Sequence, residues 1–395
     1  MFDMKIPLSA PNLCGRELDY VNECIRSNWI SGAGEFIRKF EVAVCNRFKI
    51  KNAVSCVNGT SALLLALELS GVETGDEVIV PTVTFISPVN AVRHRGAAPI
   101  FMDCDEYLNI DVEKLQDFCR KECKMTARGL INKTTGRIIK AIIPVHVFGN
   151  PCRMEEVCAA AREFRLSVIE DAAESLGSYY TCGKFSGKFT GSIGDFGVYS
   201  FNANKVVTSA GGGMILSRKK TVSKKARYLI DQAKDDPVRY IHREAGYNLR
   251  LSNLHAAVGL AQLELLGQFL AIKRKNLELY RKLISPIAGL SFLEPPPGTR
   301  ANLWFYPLLI EKEIFGRSRQ ETMKAFSNNN IETRPLWKLN HLQRPYLKCQ
   351  SYKIDKAPRL FEKIINLPCG TGLREREIEE VVSVLVRLKG KNGKN

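Results

Sequence analysis

Gly194-Asp195-Phe196-Gly197-Val198-Tyr199-Ser200-Phe201-Asn202-Ala203-Asn204-Lys205, followed by Gly211-Gly212-Gly213-Met214-Ile215-Leu216, is the stretch whose reading decides the fold. A short apolar run ends in a small hydroxyl residue, one amine follows, and a glycine cluster opens a second apolar run. Short β-branched and aromatic runs bounded by Gly, Asn and Ser are strand signals, so the pattern predicts strand, loop, turn, strand. An amine on a loop at the edge of a packed sheet loses hydration. Its pKa then falls and it becomes a nucleophile toward carbonyl carbon. Lys205 is the first candidate for chemistry.

Outward from this stretch the chain alternates β-rich runs with helical periodicity, the signature of a largely parallel sheet covered by helices. Strands are expected at Val78–Val80, Ile100–Met102, Ile139–Val145, Leu166–Ile169, Val198–Phe201 and Met214–Leu216, with helices at Ser61–Leu69, Pro88–Arg95 and Met154–Phe164. Beyond Leu251 a long helical stretch begins at a Ser252 N-cap. Leu254, Val258, Ala261 and Leu265 share one of its faces, which continues toward Leu279 and Leu283 until Pro286. A strand at Leu303–Ile310 and helices at Arg319–Asn328 and Glu375–Leu388 complete a smaller α+β region. The expected division is a large α/β domain over residues 1–265 and a small C-terminal domain over 266–395.

A chain of 395 residues with 45% apolar and 25% charged residues has the composition of a soluble globular protein. No apolar run reaches the length of a membrane span, and Met1 to Pro7 lack the basic and apolar blocks of a secretion signal, so a cytoplasmic location and no membrane partner are expected. The 12 cysteines are scattered without a Cys-x-x-Cys pair, and only 5 histidines are present, which predicts free thiols and no metal site. The net charge of +17 raises the question of nucleic acid. Its clusters, Arg218-Lys219-Lys220, Lys224-Lys225 and the tail from Lys389 to Lys394, do not interleave with aromatics as a single-strand surface would. A solvated basic face, or attraction of an anionic small substrate, accounts for the charge without nucleic acid.

In open α/β sheets ligands sit outside the carboxyl ends of the strands. Phe85, His146, Asp171, Ser200 and Lys205 all follow such ends. Asn58-Gly59-Thr60-Ser61 opens an apolar helix, whose free N–H groups and dipole suit a phosphate as well as an ordinary cap. Asp171, emerging between an apolar strand and two alanines, needs a cation partner or a capping role. A protonated pyridine nitrogen is one such cation.

These motifs resemble the DegT/DnrJ/StrS family of pyridoxal-phosphate sugar aminotransferases, of the fold-type-I, aspartate-aminotransferase-like architecture. The resemblance runs from Ile6 to Leu388 and is carried by Asn58 to Leu63, Pro81 to Phe85, Pro144 to Gly149, Glu170 to Glu174, Ser200-Phe201 with Lys205, and Gly246 to Asn253. The likeness is greatest to the branch acting on nucleotide-linked 4-keto-6-deoxy-N-acetylhexosamines in legionaminic-acid, pseudaminic-acid and bacillosamine pathways. It implies pyridoxal 5′-phosphate as cofactor, with Lys205 bonded to it and moving the proton. It further implies Asp171 on the ring nitrogen, Phe85 stacked on the ring, Gly59, Thr60, Ser61 and Ser200 on the phosphate, and Glu174 near the phenolic oxygen. Asn248 is implied to reach the phosphate of a neighbouring subunit, so that a homodimer shares its active sites. Substrate contacts are implied for Trp29, Ser31, His146, Arg334, Trp337 and His341. The substrates so implied are L-glutamate and a nucleotide-linked keto sugar, with UDP as the expected nucleotide.

Two positions depart from the family pattern. Glu174 stands where glutamine is common, and a carboxylate would repel a phenolate unless a proton is shared. Ala210 stands where relatives tend to have glycine. Lys205 argues against the dehydratases of the family, which carry histidine there. The alternatives are amination at C3 or of a sugar acid, and, from a different class, a regulatory or nucleic-acid-binding protein that keeps only the fold.

Overall fold

The computed structural model describes residues 5–390. The opening Met1 to Met4 and the end of the basic tail, where the sequence predicts fraying, lie outside the described residues.

The central sheet is assembled from β1 (Asn52–Cys56), β2 (Glu77–Pro81), β3 (Ala98–Met102), β4 (Ile138–Ile142), β5 (Ser167–Asp171), β6 (Phe196–Ser200) and β7 (Gly213–Ser217). Their spatial order is β1-β7-β6-β5-β4-β2-β3, with the short strand Ser351–Tyr352 beyond β3. Neighbours are parallel except β7, which runs antiparallel to both β1 and β6. Every residue of β2, β6 and β7 is buried, as expected of strands covered on both faces. β1 is absent from the strands predicted above, because Asn-Ala-Val-Ser-Cys has a weak β signal and gains its place by pairing with β7.

Helices α1 (Glu17–Arg26) and α2 (Glu35–Phe48) precede β1 and α3 (Gly59–Leu69) follows it, the last buried along most of its length. The long helical stretch after Leu251 is two helices, α4 (Asn253–Glu264) and α5 (Leu266–Ile284), meeting at 58° across Leu265. Ser252 caps α4 by accepting the His255 N–H. The predicted apolar stripe is corrected here. α4 packs on α1 and α2 through Ala256, Ala257, Gly259 and Ala261, while Leu254 and Val258 are only half-buried. Close approach decides the choice of face, since a Cβ on Gly259 would stand 2.8 Å from the Phe40 ring.

Past α5 the chain builds a second antiparallel sheet from β8 (Leu290–Phe292), β9 (Tyr306–Ile310), β10 (Arg334–Pro335) and β11 (Ile364–Leu367), in the order β8-β9-β11-β10. The strand predicted from Leu303 begins only at Tyr306. Leu303 has φ +57°, and the segment Asn302 to Phe305 turns instead toward the first sheet. All 12 cysteines are free, and no cluster of metal-ligating side chains exists among the described residues. No single helix among them is long and apolar enough to cross a membrane.

Candidate active site

The carboxyl ends of β1, β5 and β6 open on one cavity of about 790 Å³. Sheet register builds its floor. Cys56 of β1, Gly213 of β7 and Ser200 of β6 lie abreast, which sets Ser200 against the first turn of α3. A Cβ on Gly59 would come within 3.0 Å of the Ser200 Cβ, and one on Gly213 within 2.3 Å of the Asn58 carbonyl carbon. Asn58 caps α3 by accepting the Ser61 N–H at 2.8 Å. The Gly59 and Thr60 N–H groups, at the first two helical positions, have no intrahelical acceptor and point outward with the helix dipole. Thr60 Oγ1 is 3.0 Å from Ser87 Oγ. This end of the cavity is a cradle for an anion about the size of phosphate.

Asp171 terminates β5 and is buried. Its Oδ1 accepts the Ala173 N–H at 3.0 Å, and burial raises its pKa against that bond and the fields of Lys205 and His146. Glu174 follows one turn later, its Oε2 accepting the Phe148 N–H at 2.8 Å, and burial pushes its pKa up to about 7. Lys205 closes the arrangement. Burial lowers the pKa of its amine, and the two carboxylates oppose that shift. Its amine has no carboxylate within ion-pair distance among the described residues and lies instead 3.5 Å from the centroid of the Trp304 ring. Phe85, 52% exposed, lines the cavity with its ring turned 63° to that of Trp337.

Sequence reasoning missed three residues here. Trp304 is buried, its indole N–H donates to the Asn204 carbonyl at 2.7 Å, and its ring stacks on Phe305. Asn302 donates from Nδ2 to the Glu174 and Leu176 carbonyls at 2.9 and 3.0 Å, and accepts the Trp304 N–H on Oδ1 at 3.0 Å. Glu170, fully buried, accepts from the Gly191, Ile193 and Gly194 N–H groups and from His146 Nε2. Although burial opposes it, the His146 bond and the backbone donors hold its pKa below the usual range. A signal for Glu170 existed, since a carboxylate inside an apolar strand requires partners. Nothing local marked Asn302 or Trp304.

Several sequence-based assignments are placed elsewhere. Arg334 and Trp337 do line the cavity. His146 does not. Its Nδ1 accepts the Cys152 N–H at 2.9 Å and its Nε2 donates to Glu170 at 3.0 Å, so the ring is spent on support beneath the site. His341 is likewise no part of the cavity wall. Its Nδ1 is 2.7 Å from Thr82 Oγ1, its ring lies against Phe101, and burial lowers its pKa. Trp29, Ser31 and Asn248 are exposed and outside the cavity of their own chain. Trp29 and Ser31 are nevertheless tied to the start of α4, because Asn253 donates its N–H to the Ser31 carbonyl and its Nδ2 to the Trp29 carbonyl, both at 2.7 Å. Ala210 adopts φ +63°, the left-handed region that favours the glycine of the family pattern.

The residues present fit pyridoxal 5′-phosphate. The cradle suits its phosphate, a buried carboxylate with few donors suits a protonated ring nitrogen, the Phe85 face suits the ring, and the Thr84 hydroxyl, buried in the cavity wall, has no hydrogen-bond partner. Residues 11–386 match the DegT/DnrJ/EryC1/StrS aminotransferase family. The chain is 36% identical to a GDP-perosamine synthase of Caulobacter vibrioides, over 96% of this chain and 97% of the relative. It is 30% identical to a UDP-N-acetyl-3-dehydro-alpha-D-glucosamine 3-aminotransferase of Acidithiobacillus ferrooxidans, over 89% and 88%. Among solved structures, DesI in the presence of its TDP-sugar product superposes with a TM-score of 0.87 at 25% identity, covering 99% of this chain and 94% of that one. With its central sheet, cavity and lysine in the arrangement described, the chain belongs to the DegT/DnrJ/EryC1/StrS aminotransferase family and is a pyridoxal-phosphate-dependent sugar aminotransferase.

Proposed function

We propose that the chain takes the amino group of L-glutamate and delivers it to the 4-keto carbon of a nucleotide-linked 4-keto-6-deoxy-N-acetylhexosamine. The observation that carries this reading is the Lys205 amine, desolvated beside two buried carboxylates at the end of a cavity wide enough for a cofactor and a sugar. When bound, the cofactor supplies an aldehyde that captures amines and a cationic ring that withdraws electrons. Asp171 holds the ring nitrogen protonated, Gly59, Thr60, Ser61 and Ser200 bind the phosphate, and Phe85 orients the ring. Lys205 Nζ would move a proton between the substrate carbon and the cofactor, in one direction with glutamate and in the reverse direction with the keto sugar. Arg334 and Trp337, which line the cavity, meet the sugar nucleotide.

Trp29, Ser31 and Asn248 act in this reading across a homodimer. The exposure of Trp29, Ser31 and Asn248, and of the large apolar residues Val238 (84%) and Tyr240 (76%), supports a subunit contact. The names of the relatives support a second reading, a GDP-linked acceptor or amination at C3. Incubation of the aminated enzyme with UDP-, GDP- and dTDP-4-keto-6-deoxy sugars, and with a 3-keto sugar, separates these. The acceptor restores the absorbance of the aldehyde form, and a panel in which none does so overturns the assignment.

A further inference from the structure

We propose that the indole face of Trp304 is the resting seat of the Lys205 amine in the cofactor-free protein, where the ring favours the protonated form of that nitrogen. Three observations converge. The amine stands 3.5 Å from the ring centroid, and Trp304 is only 4% exposed, so the attraction between cation and ring acts with little water to weaken it. The indole N–H donates to the carbonyl of Asn204, so the ring that receives the amine also pins the backbone that delivers it. Asn302 accepts the Trp304 N–H and donates to the Glu174 carbonyl, fixing the seat relative to the nearer carboxylate.

The charges facing the amine are few. Asp171 and Glu174 come from β5 and the turn after it. Arg334 lies across the cavity and is paired with Glu332 at 2.5 Å. Lys273 of α5 shares a small cavity behind Trp304, with its Nζ donating to the Cys369 carbonyl at 2.6 Å. No carboxylate makes an ion pair with Lys205 among the described residues, so the ring face is the closest stabiliser of the positive charge. Trp304 is thereby a positioning residue: it decides where the amine waits and how readily it gives up its proton.

The test uses the full chain freed of cofactor. Labelling of Lys205 by trinitrobenzenesulfonate is followed by peptide mass spectrometry as a function of pH. Trp304→Met keeps an apolar, flexible side chain and removes the ring face, so the half-maximal labelling pH is expected to fall by about one unit, with a smaller fall for Trp304→Phe. A folded Trp304→Met with an unchanged or raised labelling pH overturns the proposal. If that variant does not fold, tryptophan emission of the wild-type apoprotein replaces it. A pH step lost in Lys205→Met supports the seat, and identical titrations of the two proteins overturn it. The inference draws on the proposed function only for the cofactor bond. A protein that takes up no pyridoxal phosphate would end that reading while the labelling profile still reports on the seat. Normal uptake with an unmoved profile would end the seat alone.

Discussion

Glu174→Gln is expected to stabilise the cofactor-free protein, and to do so more at high pH than at low. Burial lifts the Glu174 carboxyl from 4.5 to about 7. A carboxyl whose pKa is higher folded than unfolded binds more protons in the folded state between the two values, so stability falls as pH rises through that window and the full cost stands above it. At about 1.4 kcal/mol per unit, a rise of roughly 2.5 units corresponds to an upper figure of about 3.5 kcal/mol. That shift already nets off the field of the Lys205 ammonium, which glutamine gives up, so a gain of up to about 3.5 kcal/mol is expected at high pH. Glutamine keeps an oxygen to accept the Phe148 N–H and leaves the packing unchanged. The assay is urea unfolding of the apoprotein, wild type against Glu174→Gln, at about pH 5 and about pH 8, with the gain concentrated at the higher value. An equal offset at both pH values, or a variant less stable at the higher one, would refute the reasoning. In the loaded enzyme the same substitution is expected to move the pH titration of the cofactor absorbance, because a carboxyl able to share a proton with the phenolic oxygen is gone.

Lys205→Ala is expected to abolish the visible band formed with pyridoxal phosphate and to lower kcat by at least about a hundredfold, read by spectroscopy and a coupled glutamate assay. Gly213→Ala places a methyl 2.3 Å from the Asn58 backbone and so deforms the phosphate cradle. Cofactor affinity in that variant should drop at least about tenfold, with about 1–3 kcal/mol of stability lost, measured by fluorescence titration and urea unfolding. Ala210→Gly relieves a left-handed alanine and should raise stability by about 1 kcal/mol with activity intact; a destabilised variant would contradict the strain assigned to φ +63°.

Local pattern made much of the site legible. The run ending at Ser200 and the amine at Lys205 mark a strand and the loop that follows it, and Asp171 is marked by a charge stranded at the end of an apolar strand. Asn58 to Ser61 read as a helix start, which they are. The residues that stayed hidden are those whose partners are distant in sequence. Trp304 reads as part of a strand until Leu303 turns the chain and brings the indole to Asn204, a hundred positions away. His146 follows a strand end and the resemblance implied both His146 and His341 as substrate contacts, yet Cys152 and Glu170 take up the His146 ring nitrogens and Thr82 lies against His341 Nδ1.

The sequence by itself determined the alternation of strands and helices, the loop lysine, the acid at the end of β5 and the Asn58-Gly59 start of α3, because each is a matter of period, propensity or spacing along a few residues. The tertiary structure alone decided which polar groups face the cavity and which are consumed beneath it. Burial and hydrogen-bond partnership depend on segments far apart in the chain, and those two quantities set whether a carboxyl, an imidazole or an amine is held charged, held still or left free to react.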